Sequence, residues 1–108
     1  MVKHVIIWSF KEEYSDTEKA EFAAKIKTEL EALIGKIDGL LEIAVHISPL
    51  SSSSGDLMLD STFADEDALK AYQKNPDHLA VATFVRSVVD TRKCFDNFKR
   101  VSYGLRIG

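Results

Sequence analysis

Cysteine occurs once, at Cys94, and proline twice. A lone thiol excludes an internal disulfide framework and a Cys-rich zinc site. Excess charge is also lacking. Fourteen Lys and Arg against 17 Asp and Glu leave a net charge of -3. That supplies no broad positive field, so no nucleic-acid partner is expected. No run approaches the roughly 18 consecutive apolar residues of a membrane span, and no membrane partner is expected. The opening residues 1–8 are too short and too mixed for a signal peptide. With the single thiol, this makes a cytoplasmic location the expectation. What remains is a chain of 108 residues, 45% hydrophobic and 29% charged, with the size and balance of one globular domain.

Residues 2–10, VKHVIIWSF, read as a strand. Val2, His4, Ile6, Trp8 and Phe10 share one face; Lys3, Val5, Ile7 and Ser9 share the other. Both faces are substantially apolar, so both should be covered. Ser15-Asp16-Thr17-Glu18 is a capping box. It opens a helix whose stripe is Phe22, Ile26, Leu30 and Leu33, with Gly35 as its expected end. Residues 40–48 alternate again, with Leu41, Ile43, Val45 and Ile47 on one face. Residues 56–63 form a third strand after a Ser-rich loop. Asp65 caps a short helix ending near Gln73, and Asn75-Pro76 starts a second. The apolar side expected of that second helix is Leu79, Ala82, Phe84, Val85, Val88 and Val89. A last strand covers about 91–99. Residues 1–99 are thus one domain and 100–108 a tail, whose alternating Val101, Tyr103, Leu105 and Ile107 suit either an added edge strand or a frayed end.

The order β-α-β-β-α(α)-β is the ferredoxin-like plan of the α+β class, a four-stranded antiparallel sheet with helices on one face. Its other face, carrying Val5, Ile7, Ala44 and Met58, stays bare in a monomer. A homodimer closed through that face is therefore expected.

Two segments carry a family resemblance. One is Val2-Lys3-His4-Val5-Ile6-Ile7-Trp8-Ser9-Phe10-Lys11. The other runs from Phe63-Ala64-Asp65-Glu66 through Tyr72-Gln73 to Asn75-Pro76-Asp77-His78. Together they resemble the stress-responsive A/B barrel domain (Dabb) family over about residues 2–99. The resemblance implies a dimeric α+β barrel with a cavity between helices and sheet in each subunit. It also implies that Tyr72, His78 and His4 match the acid–base residues of a plant polyketide cyclase in the family, with Asp96 alongside. Leu57 stands where that enzyme has a His, and Ala23 where it has a Phe. Arg92 and Cys94 replace apolar lining residues. Some plant relatives bind a divalent metal, but no motif here secures one, and neither a metal nor a cofactor is expected.

The residues themselves leave two roles open at each position. His4, on an apolar face, needs a hydrogen-bond partner, and Asp96 is the candidate; the pair can be structural or can set the basicity of the imidazole. Tyr72 and His78 flank a helix break and can meet at one cavity mouth, as packing residues or as oxyanion donor and general base. Arg92 suits an exposed strand end or an anion contact, and Cys94 a small core residue. Ile6, Trp8, Phe22, Ile26, Leu59 and Arg92 are the expected ligand contacts. The primary functional expectation is a binding module for a small apolar carbonyl compound. The alternative is a cofactor-free cyclase-like lyase or isomerase using His78 and Tyr72.

Overall fold

A computed structural model describes residues 1–100; the alternating segment 101–107 lies outside them. Strand β1 (Val2–Phe10) opens the fold. Its even-numbered side chains are buried, as the alternation requires. Helix α1 (Asp16–Glu31) starts at the capping box: Ser15 Oγ accepts the Glu18 amide at 3.1 Å, and Glu18 Oε1 accepts the Ser15 amide at 2.9 Å. The helix stops four residues short of Gly35. Its end tightens into i→i+3 bonds, Leu33 to Leu30 and Ile34 to Glu31. The turn still buries Leu33 and Ile37. Gly35 and Gly39 both take positive φ, 81° and 82°.

Strands β2 (Leu40–His46) and β3 (Leu57–Phe63) follow. The pairing departs from the simple alternation expected for β2. Leu40 pairs with Phe63 and Glu42 with Thr62, so Leu41 is the extra residue of a bulge. Leu40 is buried in its stead, and Leu41 is 48% exposed. The free edge of β2 is tied to α1: Glu31 Oε2 accepts the Val45 amide at 2.9 Å, and Lys27 Nζ donates to the Val45 carbonyl at 2.8 Å.

Helices α2 (Glu66–Lys74) and α3 (Pro76–Val88) are separated by Asn75 alone, which ends one and caps the other. Asp65 caps α2 by accepting the Ala68 amide at 2.8 Å. Val81, Val85 and Val88 form the buried row of α3. Leu79, expected on that row, is 39% exposed, because a 3.6-residue period turns it away from Val81 and Val85. Strand β4 (Val89–Phe98) leaves α3 directly.

The sheet order is β2-β3-β1-β4, every neighbour antiparallel. The three helices lie on one face, completing the ferredoxin-like plan. The core sits between them and β1 and β3, around Ile26, Leu59 and Phe63. β4 is an edge strand, exposed from Asp90 onward. Cys94, on that edge strand, is accordingly exposed rather than a core residue. On the outer face, Ile7 is 41% exposed, Val5, Ala44 and Met58 are half-buried, and Phe95 stands opposite Val5. Lys3 on that face is ion-paired with Asp60 and bonded to Thr62 Oγ1.

Candidate functional site

A cavity of about 260 Å³ lies between the helices and the sheet, near the uncovered side of β4. The local structure explains its walls. β1 contributes His4, Ile6 and Trp8 through its two-residue period. α3 contributes His78, Ala82 and Arg86, spaced four apart and therefore stacked on one side of the helix. Tyr72 closes the inner end from α2, and Arg92 of β4 pairs across from Trp8.

The one-residue link between α2 and α3 brings Tyr72 and His78 together. Their rings lie 4.0 Å apart at 33°. Tyr72 also packs against Phe63 at 4.9 Å and is 1% exposed. Tyr72 Oη and His78 Nδ1 are both buried, and among the described residues neither has a hydrogen-bond partner. Burial pushes the Tyr72 phenol well up, so it is a neutral donor. His78 is pushed down to about 4, first by burial and then by the charges of His4, Arg86 and Arg92, against the Tyr72 backbone, which lies close to the ring and favours its charged form. Its imidazole is therefore neutral at pH 7.

His4, 2% exposed, meets Asp96 through Nδ1 at 2.5 Å. The register sets this contact, since His4 and Asp96 are cross-strand partners. Cys94, two residues along the same face, lies 3.4 Å from Asp96 Oδ1 and 3.8 Å from His4 Nδ1. Burial and Asp96 both raise the Cys94 thiol, so no thiolate nucleophile is held there. His4 Nδ1, Cys94 Sγ and Asp96 Oδ1 are the one group of three metal-ligand types among the described residues, all within 4.8 Å. The sequence reading did not anticipate this trio. Its groups already bond one another, and their closeness requires no ion.

Of the ligand contacts expected from the sequence, Ile6, Trp8, Leu59 and Arg92 line the cavity, together with three of the four candidate polar residues, Tyr72, His78 and His4. Asp96 stands behind His4 rather than in the wall. Phe22 and Ile26 lie elsewhere. Ile26 is wholly buried in the core, and Phe22 joins an aromatic cluster with Phe10, Tyr14 and Phe84. Leu30, one turn beyond Ile26, takes the wall position instead. Arg86, Ala82, Val85 and Gln73 were missed. The i, i+4, i+8 relation of His78, Ala82 and Arg86 was the available signal.

The model of the Stress Responsive A/B Barrel Domain family matches residues 2–98 of this chain. Solved structures resemble it closely. A dimeric protein of ferredoxin-like fold from Bacteroides fragilis is 26% identical, with a TM-score of 0.84 over 89% of this chain and 93% of that one. A protein from Arabidopsis thaliana is 25% identical, with a TM-score of 0.74 over 97% and 100%. A Dabb family protein from Mesorhizobium loti shares the fold at 20% identity and a TM-score of 0.70, over 93% and 97%. No match is found among the curated proteins.

Proposed function

The chain belongs to the stress responsive A/B barrel domain family, and on that premise we propose that it binds a small, largely apolar carbonyl compound in the cavity beside Tyr72 and His78. One observation carries this reading. Two buried polar atoms, Tyr72 Oη and His78 Nδ1, belong to residues that line the same cavity and lack partners among the described residues. A buried hydroxyl left without a bond costs about 1–3 kcal/mol. A carbonyl oxygen would remove that cost by accepting from Tyr72, while Ile6, Trp8 and Leu59 hold the apolar body.

A second reading adds proton transfer. His78 would take a proton from the carbon next to the carbonyl. The C–H bond pair would then move into the enolate, whose oxygen Tyr72 would bond. The neutral imidazole favours this, but a base held down to about 4 is weak at pH 7. Binding is therefore the primary reading.

Propiophenone and its hydrocarbon counterpart propylbenzene separate these possibilities. Tighter binding of the ketone, lost in Tyr72→Phe, supports the carbonyl site; equal binding of the two removes it. Deuterium entry beside the ketone in heavy water, abolished by His78→Ala, would add the proton-transfer step.

The homodimer belongs to the same proposal. The outer sheet face carries Val5, Ile7, Ala44 and Met58, with exposed Phe95 beside them. The Bacteroides fragilis relative is described as dimeric. A two-fold pairing of these faces would cover the patch and leave both cavities on the helix side.

A further inference from the structure

We propose that the ligand of this cavity also carries an anionic group, a carboxylate, seated between Arg86 and Arg92. The inference deepens the carbonyl-site reading and rests on it for the position of the other end of the ligand.

The charge distribution argues for it. The chain has 17 Asp and Glu residues, yet none lines the cavity. Two arginines do. They come from separate elements, Arg86 from α3 and Arg92 from β4, so no helical or strand repeat places them side by side. Topology does. α3 passes directly into β4, which runs back along it, so the end of the helix and the start of the strand lie at one end of the cavity. His78 and Tyr72 come from the start of α3 and the end of α2. Eight residues separate His78 from Arg86 on α3, about 12 Å along the axis. The long arginine side chains shorten that distance for a ligand.

Neither guanidinium is in an ion pair with a carboxylate among the described residues. The end of α3, whose carbonyls would attract a cation, is already engaged. Val88 O accepts the Lys11 amide at 3.1 Å and Ser87 O accepts Lys11 Nζ at 3.1 Å. Phe84 O accepts Ser87 Oγ at 2.6 Å. Asp96, the nearby carboxylate on β4, is held by His4. Both arginines are exposed to solvent at the cavity, and among the described residues no carboxylate is paired with either. A ligand carboxylate would supply the counter-charge, and guanidinium groups suit its planar, two-oxygen geometry. Tyr72 Oη, buried and without a partner, marks the same cavity independently as a polar ligand site.

The probes are 4-oxo-4-phenylbutanoate and its methyl ester, titrated into the full-length protein and followed by amide NMR shifts. Both carry the aryl ketone; only the first carries the charge. The acid should bind at least about tenfold more tightly, equivalent to about 1.4 kcal/mol. That advantage should shrink as salt rises. In the Arg86→Gln/Arg92→Gln double variant the acid should bind no better than the ester. Equal affinity of acid and ester for the wild-type protein, an acid preference that survives the double substitution, or no saturable binding of the acid overturns the inference. Tyr72→Phe tests the underlying reading separately. If it weakens neither probe while the arginine-dependent preference persists, the carbonyl site is wrong and the anion seat stands.

Discussion

Tyr72→Phe should make the free protein more stable. The substitution removes one hydroxyl oxygen and leaves the ring, which keeps its packing against Phe63 at 4.9 Å and His78 at 4.0 Å. No cavity is created in the core, so the usual loss for trimming a buried side chain does not arise. What disappears is a buried Oη without a partner. Such a group costs about 1–3 kcal/mol, of which we take the lower end. We therefore expect a gain of about 1 kcal/mol, or about 4 °C or more in Tm for a domain of this size. Urea denaturation at one fixed protomer concentration reads the change without interference from association. An unchanged m-value with a raised midpoint is the expected pattern. Destabilisation by 1 kcal/mol or more would refute the reasoning, since it would mean that the hydroxyl is bonded in the free protein. The same variant should lose ketone selectivity, so that stability rises as binding falls.

Three further outcomes are expected. His78 is held down to about 4 in the folded protein against an ordinary value near 6.5; the unfolded chain therefore binds the extra proton between those limits, and stability should fall as pH drops from about 6.5 to about 4. Solvent screening of the half-buried ring limits this loss to about 1–2 kcal/mol. His78→Gln should flatten that part of the stability profile, and parallel wild-type and variant curves would contradict the assignment. Gly39→Ala should cost more than Gly35→Ala in denaturant titrations. Both have φ near +80°, for which a side chain costs about 1–2 kcal/mol, but a Cβ at Gly39 would also lie 2.5 Å from Ala68 Cβ, whereas Gly35 faces open space. Ile7→Glu should halve the mass seen by light scattering at micromolar concentration, because it sets an unpaired charge in the proposed sheet-to-sheet contact; an unchanged dimer mass would move the interface elsewhere.

The local structure of this protein was legible in its residues because local rules govern it. The capping box at Ser15, the caps at Asp65 and Asn75, and the two-residue period of β1 need only near neighbours. The His4–Asp96 contact was also readable, because an antiparallel pairing of the first and last strands sets their faces together. The family motifs carried Tyr72 and His78 to one site. Other features depended on packing across the fold. The bulge at Leu41 arises where β2 must pair with β3 while keeping Leu40 in the core, a conflict that no window of sequence contains. Cys94 reads as a core residue until the sheet order puts β4 at the edge, where the thiol stays exposed. Phe22 and Leu30 share one stripe of α1, yet only the placement of α3 decides which faces the cavity and which joins the aromatic cluster. That Arg86 and Arg92 line one cavity is likewise tertiary: the chain must turn from helix to strand before the two charges share a wall. Spacing along the chain determines which face of an element a side chain occupies, whereas the packing of elements determines what that face meets.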